Sequence, residues 1–131
     1  MDGLNGSAAK PTVLVVDDEP LVRMTTADML RFGGFEVLEA AAGAQALGLL
    51  DAQPVAALVT DVRMPDMDGV DLSHRVRAAH PDMPVVFVSG DLKPDVAHLP
   101  TRTHYIRKPV NLRELIATVS QAIADRPHEL D

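Results

Sequence analysis

Five short apolar runs recur along the chain, at Val13 to Val16, Val37 with Leu38, Ala56 to Val59, Val85 to Val88, and Tyr105 with Ile106, each of strand length. The stretches between them repeat apolar residues at helical spacing, as in Leu21, Thr25, Met29 and Phe32, or Leu112, Leu115, Ile116, Val119 and Ile123. The pattern predicts strand and helix alternating along the whole chain. Such alternation implies parallel pairing through right-handed crossovers, with helices on both faces of one sheet. The first, third and fourth runs are uninterrupted, as strands covered on both faces must be. The second is flanked by Glu36 and Glu39, and the fifth by Arg102, His104 and Arg107. Polar flanks mark edge strands, which selects the strand order 2-1-3-4-5.

The punctuation agrees. Asp18 before Pro20 is placed to cap the first helix and Gly33-Gly34 to end it, while Asn111 with Glu114 resembles a capping box opening the last helix. The fourth crossover, from Asp91 to Thr101, holds Pro94 and Pro100, so a stunted or irregular fourth helix is expected there. The domain is read as residues 12–125, with a short leader at 1–11 and a tail at 126–131. The leader has no apolar segment of the kind a signal peptide needs, so a cytoplasmic location is the default expectation.

At 131 residues the chain suits one domain able to bury a real core. Its hydrophobic fraction of 47% with only 3% aromatics makes Val, Leu, Ala and Met the packing residues, as a buried parallel sheet requires. A net charge of −7, with 12 scattered Lys and Arg, argues against nucleic acid as a partner. The absence of Cys excludes disulfides, thiol catalysis and a cysteine metal site.

In open parallel sheets, ligands sit beyond the carboxyl ends of the strands where the order reverses, here between the first and third strands. The first strand ends in Asp17-Asp18, the third in Thr60-Asp61, the fourth in Ser89-Gly90 and the fifth in Lys108-Pro109. Close carboxylates repel by about 4 kcal/mol per pair at an effective dielectric of ~20, so the rim calls for a cation. Oxygen-only donors suit Mg²⁺ better than zinc or copper. A carboxylate beside Mg²⁺ can attack phosphorus to form an acyl phosphate, with Ser89 donating a hydrogen bond and Lys108 acting as a point charge on the phosphoryl oxygens. Taken singly, each of these turns is also what an ordinary capping or loop segment contains.

Together, Val-Leu-Val-Val-Asp17-Asp18-Glu19-Pro20, Asp61-Val-Arg-Met-Pro65 with Asp68-Gly69, Val-Ser89-Gly90 and Lys108-Pro109 resemble the response-regulator receiver domain of two-component signalling, from Thr12 to about Ala124. The resemblance implies a flavodoxin-like (βα)5 α/β fold with Asp61 as phosphoacceptor. It also implies Mg²⁺ held by Asp17, Asp18, Asp61 and the Arg63 backbone carbonyl. Ser89 and Lys108 would contact the phosphoryl group, Tyr105 would be the aromatic that turns inward on phosphorylation, and the Lys-Pro bond is similar to one that is often cis in the family. Arg63 and Asp91 match positions that tune how long the phosphate lasts. The implied partners are a histidine kinase or histidine phosphotransfer protein and a downstream protein, with no membrane or nucleic acid. A chain with no output domain in sight reads as the stand-alone type.

Three other functions are open at this point: an aspartyl-nucleophile phosphatase, a flavin-type binding module, and a docking-only relative of the receiver. The phosphatase usually has a second Asp where Arg63 stands, and the flavin module needs a phosphate cradle where Asp17-Asp18-Glu19 would repel anions. The docking-only reading has no sequence feature in its favour, since the residues the chemistry needs are present. His74 and His80 are too far apart to be helix neighbours and read as surface residues, and His98, His104 and His128 form no ligand pattern. Met24 and Met29 read as core filler, and Asp66 and Asp68 as a turn with Gly69.

Overall fold

The computed structural model of the chain describes residues 10–90 and 101–125. Strands β1 (Thr12–Val16), β2 (Glu36–Ala40), β3 (Ala57–Asp61), β4 (Val85–Ser89) and β5 (Thr103–Arg107) form one parallel sheet in the order β2-β1-β3-β4-β5. Helices α1 (Pro20–Phe32), α2 (Gly43–Ala52), α3 (Gly69–Ala79) and α4 (Leu112–Ala124) cover it. The order read from the polar flanks of the second and fifth runs is the observed one. The expected stunted helix of the fourth crossover, with Asp91, Pro94 and Pro100, lies outside the described residues, as do His98, His128, the tail and most of the leader.

Alternate residues of each central strand feed two cores. Val13, Val15, Val59, Val86 and Val88 meet Leu30 of α1 and Leu115, Val119 and Ala122 of α4. Leu14, Val16, Leu58, Val85 and Phe87 meet Ala46 and Leu50 of α2 and Leu72 and Val76 of α3. Both faces being covered, neither parity can be polar, and this is why the central runs are continuous rather than alternating. Each fully buried leucine, such as Leu14, Leu58 or Leu72, contributes on the order of 1.5–3 kcal/mol by leaving water. The β5 edge is fastened from α3: the half-buried Arg77 guanidinium donates to the carbonyls of Met83 and Arg102 and to the Thr103 hydroxyl at 2.8–3.1 Å.

The sequence misassigned the inner face of α1. Its buried residues are Thr26, Ala27 and Leu30, whereas Leu21 and Phe32 are each 79% exposed and Met24 is half-exposed. The arc of α1 turned to the sheet is the one that carries Thr26, Ala27 and Leu30, and Leu21 and Phe32 of the Leu21-Thr25-Met29-Phe32 row fall outside it. Met29 alone of that row packs against the core. Met24 is therefore not core filler. Nor does Asp18 cap α1, whose N-cap is Glu19, with Pro20 next and no side-chain cap bond. The Glu19 N–H is instead taken by Asp17 Oδ1 at 2.9 Å. At the other end Gly34, at φ 96°, supplies the left-handed turn. Asn111 caps α4 as expected, accepting from the Glu114 N–H at 3.0 Å.

Register determines what the sheet presents at its carboxyl rim. Val16 lies opposite Ala40 on one side and Thr60 on the other, Asp61 opposite Val88, and Ser89 opposite Arg107. The residues at or just beyond the ends of β1, β3, β4 and β5 thus gather at one edge of the sheet.

Candidate functional site

Asp17 follows the last residue of β1 and is buried. Its N–H continues the sheet ladder to the Ala40 carbonyl at 3.1 Å, and its own carbonyl accepts from Arg23 Nη1 of α1 at 2.9 Å. Arg23 is itself held by Glu39 at 3.2 Å. Asp61 ends β3, its carboxylate mostly sheltered. Carboxylate oxygens of Asp17, Glu19 and Asp61 all lie within 4.8 Å of one another. Asp18 is exposed and lines the same cleft, of about 410 Å³, with Glu19, Asp61, Arg63, Ser89 and Lys108. The sequence named Asp18 among the carboxylates of the rim; the structure adds Glu19 to the close group and sets Asp18 at its mouth.

Lys108 reaches this group from beyond β5. Its Nζ lies 3.3 Å from Asp17 Oδ2, 3.3 Å from Asp61 Oδ2 and 3.8 Å from Glu19 Oε1. Its backbone N–H donates to the Ser89 carbonyl at 2.8 Å, and the peptide bond that follows, Lys108-Pro109, is cis. Ser89 is buried. Tyr105 is partly buried, and its hydroxyl donates to the Ser89 carbonyl over 3.4 Å, a long bond. The structure therefore brings Asp17, Asp18, Asp61, Arg63, Ser89, Tyr105 and Lys108 to one end of the sheet. Asp91, expected with them, lies outside the described residues.

Burial raises the Asp61 pKa above the usual carboxylate range, and Asp17 adds to this against the opposing attraction of Lys108. Burial also pulls on Lys108, but the combined attraction of Asp17 and Asp61 carries its pKa above the usual lysine value. Three carboxylates against one ammonium leave a charge deficit that one divalent cation matches. The donors are all oxygen and the cleft beside them is open, which fits a hard ion that keeps some of its waters, Mg²⁺ above all.

The loop after Asp61 is held at two points that the sequence did not reveal. Gly69 donates to the Val62 carbonyl at 2.7 Å, and a Cβ on Gly69 would stand 2.2 Å from the Asp61 carbonyl oxygen. No side chain fits there. Asp66, read as a turn residue, instead accepts from the N–H groups of Gly43 and Ala44 at 3.1 and 3.0 Å, across 22 or more residues of chain. Asp68 does serve the turn, as N-cap of α3 with the Asp71 N–H at 2.8 Å. A signal for Asp66 was present: Ala41-Ala42 before α2 offers no capping side chain, so the cap had to come from elsewhere. Among the described residues, no helix is long and apolar enough to cross a membrane.

Comparison with known proteins points the same way. Residues 13–120 match the family described as the response regulator receiver domain. The sensor kinase CckA of Brucella abortus is 39% identical over 125 residues, which is 92% of this chain but only 13% of that protein. The response regulator receiver protein CpdR of the same organism is 30% identical over 115 residues, covering 85% of this chain and 95% of CpdR. A crystal structure of a response regulator receiver protein from Sinorhizobium medicae is similar with a TM-score of 0.83 at 30% identity, over 92% of this chain and 100% of that one.

Proposed function

The chain belongs to the response regulator receiver domain family, the phosphoacceptors of two-component signalling, and from that premise we propose that Asp61 is the residue that takes the phosphoryl group. The observation that carries this is the position of its carboxylate, at the end of a central strand, 3.3 Å from the Lys108 ammonium and facing an open cleft. Asp17, Asp18, Asp61 and the Arg63 carbonyl, with Glu19 close by, would hold Mg²⁺, which would supply positive charge against the repulsion between carboxylate and phosphoryl oxygens. In the step itself an Asp61 oxygen forms the O–P bond while the N–P bond of a phosphohistidine breaks. The leaving imidazole nitrogen keeps the electron pair and is protonated from solvent. Lys108 and the Ser89 hydroxyl take the developing charge on the phosphoryl oxygens.

The donor on this reading is a histidine kinase or a histidine phosphotransfer protein. The chain works once per phosphoryl group, catalysing only transfer onto itself and its own later hydrolysis. The ATP that maintains phosphohistidine is cytoplasmic, and so is the protein on this reading. Domain limits of 12–125 hold all the residues involved. Arg63, exposed and lining the cleft, shields the acyl phosphate from water; hydrolysis of the phosphorylated protein then quickens in Arg63→Ala, and an unchanged rate refutes that role.

The signal is a shape change. A Ser89 hydroxyl drawn to the phosphoryl group leaves room for Tyr105, whose long bond to the Ser89 carbonyl is easily given up. A downstream protein must bind the two forms with different affinity for this to matter. The test is transfer from a purified phosphohistidine protein: label moves to the wild type and not to Asp61→Asn, and label on both would assign the acceptor elsewhere.

A further inference from the structure

Helix α2 begins without a cap of its own. Its N-cap is Ala42, and no acidic residue lies in its first turn. Its first N–H groups are instead taken by both oxygens of Asp66, a residue of the loop that leaves the acceptor strand. The next residue of that loop, Met67, packs on buried Gly43, where a Cβ would come within 2.4 Å of Met67 Cγ. The loop 62–68 is thus closed at its base by the Gly69 N–H on the Val62 carbonyl beneath Asp61 and seated on α2 through Asp66 and Met67. Arg63, whose carbonyl is the proposed ion ligand, lies between Val62 and Asp66.

We infer that Asp66 is a positioning residue for the ion site, holding the acceptor loop against α2 so that the Arg63 carbonyl faces the carboxylates. This rests on the functional reading above and goes beyond it, since Asp66 touches neither ion nor phosphoryl group. A residue that only stabilised α2 could be replaced by any cap. A residue that ties the loop to α2 cannot, because a cap from within the segment before α2 leaves the loop free.

The experiment compares wild type, Asp66→Ala, Asp66→Asn and the double variant Asp66→Ala with Ala42→Ser, measuring Mg²⁺ affinity by calorimetry and the melting temperature in EDTA. The extended backbone of Ala42 suits a capping serine. Loss of residues that orient metal ligands weakens affinity about 10- to 100-fold, and Asp66 acts one step further out, so about 3- to 10-fold weaker Mg²⁺ binding is expected for Asp66→Ala. Asn retains one acceptor oxygen and should give an intermediate value. The double variant should regain melting temperature and not Mg²⁺ affinity. Affinity that is unchanged in Asp66→Ala, or that returns together with the melting temperature in the double variant, overturns the inference and leaves the functional reading intact. A wild type that binds no Mg²⁺ overturns both.

Discussion

Alanine in place of two glycines should have opposite effects on stability, and the signs follow from geometry. A Cβ at Gly69 would lie 2.2 Å from the Asp61 carbonyl oxygen, 3.1 Å from its carbon and 3.2 Å from Val62 Cα. All three atoms are backbone, so no rotamer change relieves the clash, and β3 must shift against α3. Overpacking of this kind costs about 1–3 kcal/mol, with the upper half of that range expected where the backbone itself must move. For a domain of this size about 2–3 kcal/mol corresponds to a melting temperature lower by roughly 6–15 °C. Gly48, inside α2, has nothing within 4 Å of its added Cβ. There alanine removes only the entropic penalty of a helical glycine, about 0.5–1 kcal/mol, and the melting temperature should rise by roughly 2–4 °C. Thermal denaturation followed by far-ultraviolet circular dichroism in EDTA reads both. Because the clash falls on the acceptor itself, Gly69→Ala should also slow phosphorylation by acetyl phosphate, whereas Gly48→Ala should not. A Gly69→Ala variant that melts with the wild type, or a Gly48→Ala variant that melts below it, would refute the reasoning.

Two further predictions concern charge. Lys108→Met keeps the apolar stem but leaves the carboxylates of Asp17, Glu19 and Asp61 without their ammonium; it should melt lower than wild type in EDTA and gain more from added Mg²⁺, and equal gains would contradict the charge account. The N–H groups of Ala44 and Gly43 hold the Asp66 carboxyl below its usual range, so the folded state binds its proton more weakly than the unfolded chain. Its stabilisation is then complete above the unfolded value near 3.8 and lost as pH falls through the lower folded value. The melting difference between wild type and Asp66→Ala should be constant near neutrality and shrink on acidification below that point, and a difference that grows toward acid would reverse the sign of the argument.

The sheet was legible because a parallel strand covered on both faces has no choice of composition. The Val-rich runs, and the charged flanks of β2 and β5, follow from position alone. The chemistry at the rim was legible for a related reason, since Asp17, Asp61, Ser89 and Lys108 each sit just where a strand ends, and strand ends are local features. What could not be read required knowing how two segments come to lie against each other. The rotation of α1 over the sheet, which puts Thr26, Ala27 and Leu30 inside and Leu21 and Phe32 outside, depends on how the helix is set on the sheet, which the spacing of its larger apolar residues does not encode. The Asp66 tie to α2 and the bare approach of Gly69 to Asp61 join segments whose contact is created by the fold. That Glu19 joins Asp17 and Asp61 in the close group likewise depends on how the turn Asp17-Asp18-Glu19 carries its side chains toward β3, which the order of three acids in a row does not encode.

The central claim is that Asp61 accepts a phosphoryl group with the help of Mg²⁺, and intact-mass spectrometry after incubation with acetyl phosphate tests it most directly. The account predicts a gain of one phosphoryl group in the wild type when Mg²⁺ is present, none with EDTA, and none in Asp61→Asn under either condition. The same gain in Asp61→Asn, or a gain in the wild type that does not depend on Mg²⁺, would contradict it.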